Sequence, residues 1–375
     1  MRVLFSTTPQ HGHLLPLLPL ARAFQKRGDD VAVLTSGTLQ PVLEPEELHV
    51  LSAGPTAAEL MAEVSTRTGV DAAHNPTPEA VGEFFAGARI DLTADEALAA
   101  ASDFRPDLVV REVCDYVGPL VAAAHAVPMA GLAFGPALPT PFVAAFDATA
   151  QPRFAARGLS LPQDTWLLDT CPPSLQADDW QRSMGWQPLR PEPHRAPGAP
   201  APASVASSER KRVLVSFGTY FNTPEIISPL LAELTTSDID LVVTLGLLAT
   251  PEQFDVDHSR VSFVPFTPLA DLLPGVDAIL THGGAGTTLA ALAKGIPLVV
   301  IPQGADQFIQ AERVAATGAG IALEPGEATP QATAAAVSKV LTDPLIRKTT
   351  TALAEQIATM PTPTEVAATL AAAAK

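Results

Sequence analysis

Apolar residues fall along this chain in short unbroken runs, each entering a polar loop. Arg2-Val3-Leu4-Phe5-Ser6 is the first such run. Leu14 to Arg27 then carries apolar positions on a helical period, with Gly28 placed to end it, and Val31 to Leu34 is apolar again. Strand, helix and strand within about 30 residues make one βαβ unit. Arg212-Val213-Leu214-Val215-Ser216 repeats the opening and predicts strand 213–217, helix 224–235 and strand 240–245. Two halves that each start a parallel α/β sheet imply an α/β protein of two Rossmann-like domains. Further on, the pattern predicts strands at Val261–Val264, Ala278–Thr281 and Leu298–Ile301. Helices are expected from Thr287 to Lys294, ended by Gly295, and from about Gln307 to Thr317. An Ala-rich helix should run from Thr364 to Ala374, with Thr362 or Thr364 as its cap.

Gln187 to Lys211 interrupts the pattern with Pro188, Pro191, Pro193, Pro197, Pro200 and Pro202 among Ala and Ser. Such a segment holds neither a regular helix nor a central strand. The expected organisation is therefore an N-terminal domain 1–186, a linker 187–211, a C-terminal domain 212–360 and a terminal helix 361–375.

Length and composition sharpen this picture. A chain of 375 residues favours two domains with substantial cores. The net charge of −17 argues against nucleic acid as a partner and against docking on anionic lipid. Only 17% of residues are charged and 47% are apolar, which is a packed globule rather than a disordered acidic chain. Cys114 and Cys171 allow one disulfide at most and no zinc site, so a reducing cytoplasm is expected. The opening apolar run is too short for a signal peptide. Val117 to Leu138 is interrupted by Pro119, Pro128, Pro136 and His125, so it reads as buried helix, loop and strand, with no stable membrane insertion.

The candidate chemistry begins with His282-Gly283-Gly284-Ala285-Gly286-Thr287-Thr288, between an apolar strand and a helix. Glycines let backbone N–H groups approach a ligand closely, and the helix adds unpaired donors and the positive end of its dipole. Together they predict an anion site, most simply for phosphate, with His282 as a donor at its lip. The loop is neither GxGxxG nor GKT, which disfavours NAD and ATP. Asp238-Ile239-Asp240 and Asp255-Val256-Asp257 follow no strand that would place them as metal ligands, so no metal is expected.

The loop, together with Phe263-Val264-Pro265, Leu272-Leu273-Pro274, Pro302-Gln303-Gly304-Ala305-Asp306-Gln307 and His11-Gly12-His13-Leu14-Leu15-Pro16, resembles the signature of family 1 glycosyltransferases of the GT-B fold. The resemblance covers essentially the whole chain. Arg111-Glu112, Tyr116, Gly118 and the Cys171-Pro172-Pro173-Ser174 turn are similar to the bacterial enzymes that decorate polyketides and other natural products. It implies GT-B architecture, in which two Rossmann-like domains with parallel sheets face a central cleft. It also implies an inverting, metal-independent hexosyltransferase without a cofactor, using a nucleotide-diphosphate sugar as co-substrate.

Carried residue by residue, the resemblance gives Phe263 as the ring stacked on the base and Val264 as its backbone contact. His282 and the amides of Gly284, Ala285, Gly286 and Thr287 would hold the diphosphate. Asp306 and Gln307 would bind sugar hydroxyls, with helix capping the alternative role for Asp306. Gly12, Ser216 and Thr219 would line the substrate cleft. His13 takes the general-base position, with His11 as its rival, because a ring that titrates near neutrality suits proton removal from an acceptor hydroxyl. Glu112 or Asp115 would orient that ring.

The expected partners are a dTDP- or UDP-sugar and a small hydrophobic aglycone, and a homodimer is allowed. Phe84, Phe85, Phe134, Phe142 and Phe146 are candidates for an aromatic acceptor wall, with core packing as the alternative for each. Three other readings remain: a nucleotide-sugar epimerase, a lipid-acceptor transferase on the same fold, or a non-catalytic helper.

Overall fold

The computed structural model describes residues 1–71, 76–198, 209–218, 223–246, 249–257, 259–265 and 267–374. The chain divides into two compact units. Unit 1 comprises Met1–Cys171, Asp178–Arg190 and Met360–Lys375, and unit 2 comprises Pro172–Ala177 and Pro191–Thr359.

Unit 1 holds a sheet of β1 (Arg2–Ser6), β2 (Asp30–Thr35), β3 (His49–Ser52), β4 (Leu108–Glu112), β5 (Met129–Ala133), β6 (Trp166–Asp169) and β7 (Trp186–Pro188). Their spatial order is β3-β2-β1-β4-β5-β6-β7, and every pairing is parallel. Val3, Leu4 and Phe5 are fully buried because helices cover both faces of such a sheet. The order reverses between β1 and β4, so the connections leaving their C-terminal ends run in opposite directions and leave a crevice beyond those ends, the usual ligand position in open α/β folds.

Unit 2 repeats the plan with β8 (Lys211–Ser216), β9 (Ile239–Thr244), β10 (Val261–Val264), β11 (Ala278–Thr281), β12 (Leu298–Val300) and β13 (Gly320–Ala322), all parallel. Their order is β10-β9-β8-β11-β12-β13, and the reversal falls between β8 and β11.

The unit boundaries differ from the expected ones in three places. Residues 187–190 belong to unit 1, where β7 pairs with β6 alone and Leu189 is buried. Pro188 is tolerated because β7 is an edge strand, where a missing N–H breaks no central ladder. Pro172–Ala177 joins unit 2, where the buried Arg313 guanidinium donates to the carbonyls of Leu175 (3.3 Å) and Gln176 (2.6 Å). The terminal helix, Pro363–Ala373, returns to unit 1. Its buried stripe Val366, Ala367, Leu370 and Ala371 packs into the same core as Leu14, Leu17, Leu18 and Phe24. Thr362 caps this helix in a capping box with Glu365. Among the described residues no helix is long and apolar enough to cross a membrane, and Cys114 and Cys171 are both buried and not joined in a disulfide.

Candidate active site

In unit 1 the chain leaves β1 through Thr7–Gln10 and enters a short helix, His11–Leu14. Pro16 and Pro19 remove ladder donors, so the predicted helix Leu14–Arg27 instead consists of this turn, a 3₁₀ turn Leu15–Leu17 and a helix Leu18–Lys26. The break lets His13 stand above the end of β1. Register places Ser6 of β1 beside Arg111 of β4, so the last residue of β4, Glu112, emerges at the same crevice.

There His13 Nδ1 lies 3.1 Å from Glu112 Oε1. Glu112 is fully buried. Its Oε1 also accepts from the Thr8 hydroxyl (2.7 Å), and its Oε2 accepts from the Cys114 N–H (2.8 Å). Burial pushes the Glu112 carboxyl up, but His13 and these hydrogen bonds outweigh it and hold the group below the usual glutamate range. Asp115 is not the partner. Its Oδ2 accepts from the Ser6 hydroxyl (2.5 Å) and the Gly118 N–H (2.8 Å), and its Oδ1 faces Arg89. His11 is lowered by burial, which disfavours its protonated form.

Phe85 and Phe134 flank the His13 ring with centroids at 5.3 and 5.2 Å. Of the other aromatic candidates, Phe84 and Phe146 are buried in the core, and Phe142 packs partly against that core. Gly12 is exposed, and a Cβ there would meet nothing within 4 Å, so no crowding dictates glycine. Arg111, Tyr116 and Gly118 brace the strand end. Arg111 pairs with Asp164 (2.7 Å), Tyr116 donates to Asp147 (2.6 Å), and a Cβ on Gly118 would come 2.9 Å from Ser6 Cβ.

In unit 2 the loop after β11 leads into the helix Ala285–Leu292, two residues earlier than predicted, because the Gly284 carbonyl accepts the first bond, from Thr288. The N–H groups of Ala285, Gly286 and Thr287 therefore lack intrahelical acceptors. Gly283 has φ +93, which a side chain rarely adopts, and its Cβ would strike Val300.

His282 is buried, and its Nδ1 lies 3.4 Å from the Ser216 carbonyl and 3.3 Å from the Thr281 hydroxyl. Burial pushes its pKa down to about 4, despite the Ser216 contact. Because a carbonyl only accepts, Nδ1 carries the proton of the neutral ring, and Nε2 presents a lone pair. Gly218 and Gly284 make room for that edge, since a Cβ on either would sit 2.7 or 2.8 Å from Nε2. The expected role of His282 as a phosphate donor therefore needs the protonated ring, which an adjacent anion favours.

Ser216 contributes its carbonyl here, while its hydroxyl accepts from Thr244 (3.1 Å). Thr219 lies outside the described residues. Phe263 is half-buried on the edge strand β10 and packs against Phe254 at 5.1 Å. The Val264 carbonyl already accepts from the Leu245 N–H, which leaves its second lone pair for a base. Asp306 occupies the cap position of the helix Gln307–Thr317 without making the side-chain cap bond, so capping does not explain it. Ala305 before it has φ +53, a strained turn for a non-glycine residue. Gln307 is buried, and its Oε1 accepts from the N–H groups of Gln303 (2.8 Å) and Gly304 (3.2 Å). That oxygen holds the loop, and only the amide nitrogen remains for a sugar hydroxyl. Asp238 pairs with Arg210, and Asp257 accepts from Ser259 in an exposed turn.

Sequence reasoning passed over Thr8, Gly218 and Arg89. Gly218 follows β8 much as the glycines of the other loop follow β11. A lone arginine among Ala86, Gly87, Ala88 and Ile90 is the signal that marks Arg89.

Two parallel α/β units of this kind, with a histidine at each reversal of strand order, are the GT-B architecture of glycosyltransferases. Residues 22–218 match the N-terminal domain and residues 228–373 the C-terminal domain described as erythromycin biosynthesis protein CIII-like, and the chain belongs to that family of natural-product glycosyltransferases. It is 33% identical to the elloramycin glycosyltransferase of Streptomyces olivaceus, over 99% of this chain and 97% of that one. The crystal structure of SsfS6, a Streptomyces sp. SF2575 glycosyltransferase complexed with thymidine diphosphate, matches with a TM-score of 0.83 at 27% identity, covering 99% of both chains. The spinosyn rhamnosyltransferase SpnG complexed with spinosyn aglycone matches with a TM-score of 0.84 at 26% identity, covering 99% of this chain and 100% of that one. The protein is thus a glycosyltransferase, and the epimerase reading gives way.

Proposed function

We propose that the enzyme transfers a hexose or deoxyhexose from a dTDP- or UDP-sugar to a small hydrophobic natural-product aglycone, in one inverting displacement that needs no metal. The observation that carries this reading is the His13–Glu112 pair at 3.1 Å, walled by Phe85 and Phe134. Glu112 fixes the tautomer by accepting at Nδ1, so Nε2 is the nitrogen that takes the acceptor's hydroxyl proton. The buried carboxylate then stabilises the imidazolium formed in the same step. The flanking rings suit an apolar acceptor and keep water from the base. The acceptor oxygen attacks the anomeric carbon as the bond to the nucleotide diphosphate breaks, with the leaving charge met by the N–H groups of Ala285, Gly286 and Thr287. The thymidine diphosphate bound to SsfS6 and the aglycone bound to SpnG support donor and acceptor of these classes.

A thermal-shift panel of dTDP, UDP, GDP and NAD tests the donor. At a hundredfold excess over Kd, the correct nucleotide should add about 2.7 kcal/mol of stability. A response to NAD alone overturns the reading, and a product that retains the donor's anomeric configuration overturns the single displacement.

A further inference from the structure

Arg89 is the largest of the fully buried side chains among the described residues. It follows directly on a π-helical run, Glu83–Ala88, which carries Phe85 to the face of His13. Such runs recur at functional sites. The guanidinium has three recipients. Nη2 donates to the Thr7 carbonyl (2.9 Å), Nη1 to the Thr93 hydroxyl (3.2 Å), and Nε to Asp115 Oδ1 (3.3 Å). Thr7 precedes Thr8, whose hydroxyl and N–H both point to Glu112 Oε1, the atom that meets His13. Asp115 in turn ties the end of β1, through Ser6, to the start of the helix Val117–His125, through Gly118. One planar cation thus joins the strand end that leads to the base, the turn after Glu112, and the helix that carries the aromatic wall.

Stability alone is a poor reason for this arrangement. Burying a charge is costly, and a packed apolar replacement is often as stable. What an apolar side chain cannot do is fix the Thr7 carbonyl in place. We propose that Arg89 is a positioning residue for the transfer reaction, setting the Thr8–Glu112–His13 chain and the Phe85 wall in one register.

The proposal rests on His13 as the base. Among the described residues, the charged and titratable groups around that pair include Glu112 and Arg111 on β4, Cys114 and Asp115 beyond it, His11 on the same turn as His13, and Arg89 itself. Arg89→Lys keeps the charge but cannot reach all three recipients. It should keep a cooperative melt and the wild-type shift on adding dTDP, while kcat falls roughly 10- to 100-fold. The acid limb of kcat should move to lower pH, because a loosened carboxylate stabilises imidazolium less. The His13 ring resonances of ¹⁵N-histidine-labelled protein should move with it. Should Arg89→Lys fail to fold, Thr93→Val removes one recipient and should move the same limb in the same direction by less.

His13→Ala run alongside separates the two readings. If it retains turnover, the base assignment falls and this inference with it. If it is inactive while both other variants keep the wild-type kcat and limb, the positioning role alone is overturned.

Discussion

Two sheets that share one order over six strands each place a histidine where that order reverses, yet the two rings sit in opposite surroundings. At β1/β4 the ring stands on a broken helical turn and meets a buried carboxylate. At β8/β11 the ring is sunk in the loop and meets a carbonyl and a hydroxyl. A carboxylate stabilises the imidazolium and prepares a ring to accept a proton during reaction. A carbonyl in a dry pocket fixes the tautomer but stabilises the charged ring too little to offset burial, so the second ring is held neutral. The topology supplies the position, and the partner on Nδ1 decides the chemistry.

The largest effect should come from breaking the first pair. His13→Ala should lower kcat by roughly 10²- to 10⁴-fold and leave the dTDP-induced thermal shift intact. Glu112→Gln, which keeps the shape but offers no charge, should cost roughly a hundredfold or more with the same intact nucleotide response. Loss of the nucleotide response in either variant would show that the two histidines are not separate in function.

A middle-sized effect should come from crowding the second ring. Gly284→Ala places a methyl where the structure leaves 2.8 Å to Nε2. The nucleotide Kd should weaken about tenfold, the equivalent of one good hydrogen bond to a charged group. The acid limb of kcat at saturating donor should not move. An unchanged Kd by calorimetry would mean that the ring does not meet the diphosphate.

The last effect falls on stability against pH and leaves turnover and binding at neutral pH untouched. His282 titrates near 4 in the fold and near ~6.5 when unfolded, so the unfolded chain binds more protons between those values. Folding stability should therefore fall as pH drops through that window, by at most about 3 kcal/mol. Glu112 is held below its ordinary value, so its contribution is complete above ~4.3 and is lost only as pH falls through its lower folded pKa. His282→Asn should flatten the denaturation free energy between pH ~6.5 and ~4 and leave the steeper acid loss below it. A wild-type slope in that variant would overturn the neutral-ring assignment.

How much of this could be read from the chain differs by element. Val261–Val264 and Ala278–Thr281 match the prediction to the residue; Ala278–Thr281 is buried throughout and so reads as an apolar run, whereas Val261–Val264 is an edge strand whose one exposed position, Ser262, leaves the short apolar pattern readable. Glu112 is legible as a strand-end carboxylate, but its choice over Asp115 is not. That choice depends on Arg89 and Ser6, 26 and 109 residues from Asp115, occupying the second carboxylate. Gln307 reads as a free amide because nothing local shows its oxygen turned back onto residues 303–304. The aromatic candidates cannot be sorted either, since helical period does not tell a core phenylalanine from one facing His13. The return of the terminal helix to unit 1 is hidden for the same reason: an apolar stripe states that a partner exists, not which one.

That returning helix also bears on synthesis. The core of unit 1 includes Val366 and Leu370, so a ribosome must add residues 191–375 after the last strand of that unit has emerged before the core can be completed. At ordinary translation speeds this is a wait of roughly 10–40 s. During that interval the core to which Leu17, Leu20 and Phe24 belong lacks the apolar stripe of that helix. Unit 2, which needs only the early segment 172–177 and residues 191–359, can assemble first, so the half of the enzyme made first is the half finished last.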